Sequence, residues 1–408
     1  MQSCDVVIVG GGIGGSALGA SLAELGLSVR LLERETEFVD RVRGEFLAPW
    51  GVTESRTLGI YDLLMDAGGH HVTRHIGYDN LLTPAQAEAG TLPLGDLSPG
   101  VPGPLCMEHV VMQNALLDNA RAHKVDVLRG VSKVTAQPGA EPSVAYTYQG
   151  ERHSCSCRLI VGADGRSSTV RRQLGLGLKE QPVDHLISGL LVDDAHDWPE
   201  DLQAVGRAGD LEYLIFPQGG GKVRLYVDYD LSERGRYTGE KGVCNLLAAF
   251  DVDCIPGGRG LANARPIGPC QSYPSQDATL DELSVDGVVL MGDAAGYTDP
   301  IVGQGLSVAL RDARLIRDAL QADSDWSKES FSAYQDERRE RVRRIRCIAR
   351  FAATLFVNCV DDEQRARAFG RIGANSDLGG LLLATFAGPE SVPAEVFTEQ
   401  FHNAIFSP

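Results

Sequence analysis

The chain has 408 residues, of which 43% are apolar and 23% charged, and its formal net charge is −17 at pH 7. The length predicts two or three domains, and the residue balance is typical of a soluble globular protein. The negative charge disfavours nucleic acids and acidic membranes as partners, because like charges repel.

Neither a secretory signal nor a membrane span is predicted. The N-terminus has no basic segment followed by a long apolar one, and no run reaches 18 uninterrupted apolar residues. Nine cysteines are scattered along the chain, with Cys155 and Cys157 only two positions apart. Reduced thiols in a cytoplasmic protein are therefore favoured over a metal or disulfide role.

The first 35 residues predict a strand, a glycine loop, a helix and a second strand. Val6–Val9 is a continuous apolar run, as a strand covered on both faces requires. Leucines at helical spacing follow, and Gly26 stands where that helix should end. With Val29–Leu32 as the second strand, the segment begins a parallel, right-handed βαβ unit.

The glycine loop of this unit has the pattern G-x-G-x-x-G at Gly10, Gly12 and Gly15. The first glycine allows a tight turn, the second lets a pyrophosphate approach, and the third lets the helix pack against the strand. Glu33 ends the second strand, where a carboxylate accepts hydrogen bonds from ribose hydroxyls and disfavours a 2′-phosphate. FAD and NAD both remain open at this point. Further contacts are expected from Ile13, Gly14 and Arg34.

Later segments repeat the strand, turn and helix pattern around an insertion. In chain order we predict a Gly- and Pro-rich linker or substrate-side excursion over 76–104, a helix over 108–123, strands at Val125–Leu128, 143–149 and 158–165, an antiparallel sheet within 183–264, a strand, loop and helix over 287–320, and a mostly helical remainder from Trp326. The predicted class is α/β, with a Rossmann-like domain and a parallel sheet, interrupted by a domain with a mostly antiparallel sheet. The boundaries are 1–75, 105–180 and 265–325 for the nucleotide domain, 76–104 and 181–264 for the substrate domain, and 326–408 for the helical C-terminal region.

Two later motifs distinguish between the nucleotides. "VGADGRSSTVR" (161–171) places Asp164 after a strand, and "LMGDAAGYTDPIVGQGLSVALRDA" (290–313) places Gly292 and Asp293 after another. With the first glycine loop, these motifs resemble the class A flavoprotein monooxygenases, the para-hydroxybenzoate hydroxylase-like family, over residues 5 to about 345. The resemblance implies bound FAD.

The resemblance also assigns residues along an extended FAD. It places Asp164 near the pyrophosphate and the nicotinamide route, and Asp293 at the ribitol, where Gly292 permits close backbone approach. A helix that starts after "GQG" directs its positive end towards the flavin ring. The remaining implied contacts are Arg43, Gln113, Val131, Pro300, Gly303, Gly305 and Leu306, while His109 stands where many relatives carry arginine.

The reaction is likewise what the resemblance implies. NADH or NADPH binds transiently and reduces FAD, O2 then gives a flavin C4a-hydroperoxide, and its distal oxygen hydroxylates or epoxidises an organic small molecule. Family habits suggest an aromatic or polycyclic secondary metabolite. No metal is predicted, and the chain is expected to be a monomer or a homodimer.

The antiparallel sheet should supply pocket walls. Tyr213, Phe216 and Tyr226 are pocket candidates, as is Pro300 beside the flavin, with ordinary core packing as the alternative for each. Ile215 and Tyr229 are further pocket candidates with the same alternative. Tyr213 or a histidine (His185 and His196 are available) would deprotonate a phenol, but no base is assigned.

Other interpretations of the whole chain and of its tail remain open. "GDAAGYTDP" and "YLIFP" also resemble the geranylgeranyl reductases, which makes a flavin-dependent alkene reductase the alternative, and a non-catalytic FAD-binding protein is the third. The arginine-rich segment 336–350 predicts a solvated helix face paired with the protein's own carboxylates, or attraction of NAD(P)H phosphates. The apolar segment 378–388 is suited to cover the pocket or to join two subunits.

Overall fold

The structure is a computed structural model that describes residues 2–95, 97–358, 361–374 and 376–406, with the backbone alone for 376–379. The α-helices are Ile13–Glu24, Pro49–Thr57, Tyr61–Asp66, Pro84–Ala89, His109–Ala122, Thr169–Gln173, Gly242–Ala248, Gly258–Ala262, Gly305–Ala322, Ser332–Ala352, Asp362–Ala374, Ser376–Ala387 and Glu399–Phe406. The predicted helix over 108–123 is confirmed, and Gly26 follows the first helix with a positive φ of 85°.

A six-stranded sheet forms the nucleotide-binding half. Its order is Ser284–Val285, Val288–Leu290, Leu159–Gly162, Val6–Val9, Val29–Glu33 and Asp126–Arg129, and all neighbours are parallel except the first pair. The strand Val6–Val9 is buried throughout, because helices cover both faces of a parallel sheet. The carboxyl ends of three central strands lead directly into the glycine loop and into the turns that contain Asp164 and Asp293.

An eight-stranded sheet forms the second half. Its order is Arg265–Pro266, His185–Asp193, Lys222–Asp230, Leu211–Gly219, Leu202–Ala208, Arg74–Gly77 and Leu92–Pro93, with Gln271–Ser275 also paired to His185–Asp193. Neighbours are antiparallel except Leu202–Ala208 with Arg74–Gly77. The excursion over 76–104 thus joins this sheet, and the sheet continues to Ser275, past the predicted boundary at residue 264.

Three smaller sheets complete the strands. They are Gln2–Ser3, Glu151–Ser156, Ser143–Tyr148 and Ser132–Gln137; Lys179–Glu180, Ala278–Thr279 and Gly296–Tyr297; and Phe46–Leu47, Leu105–Cys106 and His70–His71. The segment after Trp326 is mostly helical, as predicted, and the α/β class with one parallel and one mostly antiparallel sheet is confirmed. Within the described residues, no helix combines the length and apolar character needed to cross a membrane.

Candidate active site

Two adjoining cavities form one elongated cleft along the carboxyl edge of the parallel sheet, and the eight-stranded sheet lines its inner part. The inner cavity has a volume of about 330 Å³ and the outer cavity about 300 Å³. Both are lined by Gly12, Arg43, His109, Gln113, Ala163 and Gly165, which mark where the cavities meet. An elongated dinucleotide requires a cleft of this form, with anchoring groups at several points.

Each residue predicted to contact the cofactor lines this cleft. Gly10, Gly12, Glu33, Arg34, Arg43, Gln113, Val131 and Asp164 line the outer cavity. Ile13, Gly14, Gly15, Gly292, Asp293, Pro300, Gly303, Gly305 and Leu306 line the inner cavity. The residues converge because the parallel strands all end at the same edge of their sheet.

The glycines of the cleft separate into two kinds. A Cβ at Gly10 would lie 2.3 Å from the Ala163 carbonyl oxygen, and one at Gly15 would lie 2.1 Å from that of Gly10, so both are required for the protein's own packing. A Cβ at Gly12 or Gly305 would meet no protein atom within 4 Å. These two glycines therefore leave open space inside the cleft, as a closely bound nucleotide requires.

Glu33 lines the outer cavity and holds the glycine loop. Its Oε2 accepts a hydrogen bond from the Gly11 amide at 2.7 Å, and its Oε1 accepts one from the Glu35 amide at 2.7 Å. Each carboxylate oxygen has a further lone pair available for a ribose hydroxyl. The buried carboxylate thus fixes the loop and remains suited to the predicted role.

Asp164 has a clear local role in the turn after its strand. Its carboxylate accepts hydrogen bonds from Ser168 Oγ at 2.5 Å and from the amides of Thr169 and Val170 at 2.6 and 3.2 Å. These bonds satisfy free amides at the start of the helix Thr169–Gln173. The structure therefore explains this aspartate through helix capping, and its cofactor contact stays a prediction.

A buried ion pair that sequence reasoning missed supports the loop at Gly292. The Gly292 amide donates to Asp312 Oδ2 at 2.8 Å, and Arg338 Nε lies 2.8 Å from the same oxygen. Arg338 also donates to the carbonyls of Gly292, Ala295 and Gly296 at 2.9 to 3.0 Å. The sequence signal that could have found this pair is Asp312, an aspartate among the apolar residues on the buried face of its helix.

The arginine-rich helix is thus only partly the solvated face that was predicted. Arg338 and Arg341 are buried and both pair with Asp312. Arg343 and Arg344 do follow the prediction, since they pair with Glu340 at 2.7 Å. The helix packs against the cleft, so its inward arginines complete the site's framework.

The loop before the helix Gly305–Ala322 is held by one amide side chain. Gln304 Oε1 accepts from Trp50 Nε1 at 2.8 Å, and Gln304 Nε2 donates to the carbonyls of Val302 and Thr385 at 2.6 and 3.0 Å. The last contact brings the C-terminal segment to the site, where Phe386 packs edge-on against Phe46. The part of 378–388 whose side chains are described therefore lies beside the cavity.

The eight-stranded sheet forms the far wall of the inner cavity. Leu214, Phe216 and Tyr226 line it together with Ile187. Tyr213 does not, because neighbouring residues of a strand face opposite sides, and its hydroxyl donates instead to the Tyr78 carbonyl. Ile215 and Tyr229 share that opposite face with Tyr213.

Neither of the two predicted histidines lines the cavity. His185 is fully buried between Asp184, Asp228 and Asp299; burial opposes its protonation, but the carboxylates prevail and raise its pKa to about 11. An imidazolium of this kind cannot act as a base near neutral pH. His196 is exposed. Neither is therefore placed to deprotonate a substrate.

A buried carboxylate at the cavity wall was not anticipated from the sequence. Glu45 Oε2 accepts a hydrogen bond from Tyr226 at 2.6 Å, and Glu45 also pairs with Arg224, which lies 2.9 Å from Asp40. Burial raises the pKa of Glu45 to about 7, Arg224 opposes this, and Asp40 adds to it. Glu45 directly follows a glycine in an irregular segment, so no helix or strand periodicity in the sequence marks it as a buried residue.

Comparison with known proteins identifies the family of the chain. The FAD binding domain family matches residues 3–349, and the chain belongs to that family. Squalene epoxidase 3 of Arabidopsis thaliana is 26% identical over 98% of this chain and 78% of its own. The 3-hydroxybenzoate 6-hydroxylase of Polaromonas naphthalenivorans (strain CJ2) is 24% identical over 83% of this chain and 85% of its own. The chain is an FAD-dependent monooxygenase.

Solved structures agree on the fold. The p-nitrophenol 4-monooxygenase PnpA of Pseudomonas putida DLL-E4 superposes with a TM-score of 0.80 over 95% of this chain and 99% of its own, at 20% identity. The predicted resemblance and the predicted cofactor FAD are confirmed by the family match.

Proposed function

We propose that this monooxygenase takes electrons from NADH or NADPH and transfers one atom of O2 to a neutral aromatic or polycyclic molecule, as a hydroxylation or an epoxidation. The observation that carries the proposal is the inner cavity, where an apolar wall of Leu214, Phe216 and Ile187 faces the loop at Pro300. FAD supplies the redox chemistry when bound.

The chain's own residues bind, orient and exclude water. Phe46 and Phe216 pack with their ring centroids 5.4 Å apart, and Phe386 packs on the other side of Phe46. This apolar cluster limits the access of water, which protects an oxygen transfer from unproductive loss of peroxide. The Tyr226 hydroxyl, which donates to Glu45, gives this wall a polar oxygen that can accept a hydrogen bond from a substrate.

The charge at the wall favours a neutral substrate over a carboxylate. Arg224, on the cavity side of its strand, is already paired with Asp40 and Glu45. A second acidic group close to Glu45 would be repelled when that carboxyl is ionised. Squalene, in the name of one relative, is an apolar alkene, whereas hydroxybenzoate, in the name of another, is an anion. We therefore propose that the substrate of this chain is closer in polarity to squalene than to hydroxybenzoate.

Isotope-labelled O2 tests the proposal. The purified enzyme with FAD and NAD(P)H is incubated with a panel of neutral polycyclic compounds and with a matched panel of benzoates. The masses of the products are then measured by mass spectrometry. We expect one labelled oxygen atom in a product of the neutral panel. Product that gains two hydrogens and no label would instead establish the alkene reductase, and FAD binding without substrate-stimulated NAD(P)H consumption would establish the non-catalytic alternative.

We also propose a cytoplasmic location. The NADH or NADPH that the reaction consumes is regenerated inside the cell, and the described cysteines are free thiols, as a reducing compartment maintains them. Fractionation of cells that express a tagged chain tests this proposal. Enrichment in the extracellular or membrane fraction would contradict it.

A further inference from the structure

Two cysteine thiols lie in contact beside the nucleotide-binding sheet. Cys4 Sγ is 3.5 Å from Cys155 Sγ, although the two residues are 151 positions apart in the chain. The short strand Gln2–Ser3 pairs in parallel with Glu151–Ser156, with Gln2 opposite Cys155. The Cys4 amide continues this pairing by donating to the Ser156 carbonyl at 3.1 Å. Backbone pairing thus holds both sulfurs on one side of the small sheet.

The surroundings of the pair favour one thiolate. A hydrogen bond from Cys4 and the positive charge of Arg30 lower the pKa of Cys155 to about 7, against the opposing effect of burial. Burial, with the charge of Cys155, raises the pKa of Cys157 to about 12, so this neighbour stays a thiol. Cys155 is fully buried and Cys4 is partly exposed. The hydrogen bond to Cys155 and burial raise the pKa of Cys4, so the exposed sulfur is the thiol of the pair, and peroxide reaches the Cys155 thiolate from the side of Cys4.

We propose that Cys4 and Cys155 are an oxidisable dithiol, a modification site at which hydrogen peroxide joins the two sulfurs in a disulfide. In the first step a thiolate attacks a peroxide oxygen, the O–O bond breaks, and sulfenic acid and hydroxide form, the hydroxide taking a proton to become water. The second thiol then attacks the sulfenic sulfur, the S–S bond forms, and its proton leaves with the departing hydroxide as a second water. Two thiols lose two electrons, and one peroxide gains them.

Hydrogen peroxide can reach this pair from two sources. A flavin monooxygenase that reduces O2 without transferring oxygen releases peroxide, and cellular peroxide is the same reagent. Oxidation of this dithiol therefore does not depend on the proposed reaction. Its structural effect is to tie the segment that leads into the strand Val6–Val9 to the hairpin strand Glu151–Ser156. A cross-link between such distant positions restricts the unfolded chain, so the oxidised protein unfolds at a higher temperature.

Peptide mapping of the wild-type holoenzyme tests the proposal without any mutation. The reduced protein is treated with stoichiometric hydrogen peroxide, remaining thiols are alkylated, and tryptic peptides are analysed without reductant. We expect the peptide that ends at Arg30 to be linked to His153–Arg158, with the loss of two hydrogens and a raised Tm that a thiol reductant reverses. Because the second peptide contains both Cys155 and Cys157, fragmentation identifies the linked sulfur.

Matched variants complete the test. Cys157→Ser should retain the cross-link and the shift in Tm, whereas Cys4→Ser should lose both. The exposed Cys244 reports in the same sample that the oxidant was active. Oxidation of Cys244 with Cys4 and Cys155 still fully alkylated would overturn the proposal. So would a dominant Cys155–Cys157 bond, or stable addition of oxygen to either sulfur without a link.

Discussion

Asp312 and Arg338 form a fully buried ion pair directly behind the Gly292 loop, with Arg338 Nε 2.8 Å from Asp312 Oδ2. Asp312→Asn would remove the carboxylate from buried Arg338 and leave Arg341 with Glu337 alone, and removal of one partner from a buried pair costs about 3 to 5 kcal/mol. We expect a loss of this size in the free energy of urea unfolding, together with weaker FAD retention. Asp318→Asn, on the same helix but at a half-exposed pair, should cost about 1 kcal/mol or less. Equal losses in the two variants would contradict this account.

Asp293→Ala should strongly lower the FAD content of the purified protein. Asp293 lines the inner cavity and is only loosely paired with Arg166, at 3.3 Å, so its carboxylate is available to ribitol hydroxyls. The measurement is the ratio of flavin absorbance to protein after gel filtration. Asp286→Ala, at an exposed position nearby in sequence, is the control and should keep its flavin. A fully yellow, active Asp293→Ala protein would remove this residue from the site.

Gly12→Ala and Gly10→Ala should fail in different ways. The added methyl group at Gly12 meets open space, so the apoprotein should keep its Tm while its affinity for FAD falls at least tenfold. At Gly10 the same group would overlap the Ala163 carbonyl, and φ is 111°, so the apoprotein itself should be destabilised by several kcal/mol. Calorimetry of the apoproteins and titration with FAD separate the two effects. An unstable Gly12→Ala apoprotein would contradict the assignment.

Glu45 should make stability fall as the pH rises. Its pKa is raised from 4.5 to about 7, so the folded state holds a proton that the unfolded state has lost between these values. The difference in unfolding free energy between wild type and Glu45→Gln should therefore decrease by about 3 kcal/mol from pH 4.5 to pH 8. Glu141→Gln, at an exposed position, is measured in parallel as the control for the substitution itself. A flat difference for Glu45→Gln would mean that this carboxyl titrates normally.

Tyr226→Phe and Tyr213→Phe should separate the two faces of the sheet. Loss of the Tyr226 hydroxyl removes one polar group of the cavity wall and the hydrogen bond that it donates to Glu45, and we expect kcat/KM to fall by about tenfold. Loss of the Tyr213 hydroxyl leaves the Tyr78 carbonyl unsatisfied on the other face, at a cost of about 1 to 3 kcal/mol in stability with kcat/KM unchanged. Steady-state kinetics and urea unfolding of the two variants are the measurements. A loss of kcat/KM in Tyr213→Phe with normal kcat/KM in Tyr226→Phe would show that the other face of the sheet forms the pocket.

The sequence was sufficient where structure is determined locally. The glycine loop, the helix behind it and Glu33 lie within one βαβ unit, so their spacing alone predicts their arrangement. Alternation along Leu211–Gly219 predicts that Tyr213 and Phe216 face opposite sides of the sheet, but not which side forms the pocket. That choice depends on packing against a distant part of the chain.

Long-range pairs were beyond sequence reasoning. Asp312 and Arg338 stand on different helices, and the Glu45–Tyr226 contact spans 181 positions. The sheet was also predicted to end too early, because Gln271–Ser275 is polar and contains a proline that reads as a boundary. The division of the chain into domains at the stated residues remains a prediction.

The cleft draws its walls from stretches near Gly12, Arg43, Gln113, Gly165 and Gly305, which are far apart in the chain. A ligand that contacts all of these stretches stabilises the folded state by mass action. The effect matters most where, as here, folding must bring together segments that are separated by long loops, because closing each loop costs entropy. The yield of intact recombinant protein should therefore follow the riboflavin supply of the host. In a riboflavin auxotroph starved of the vitamin, newly made chains should be degraded faster than they accumulate.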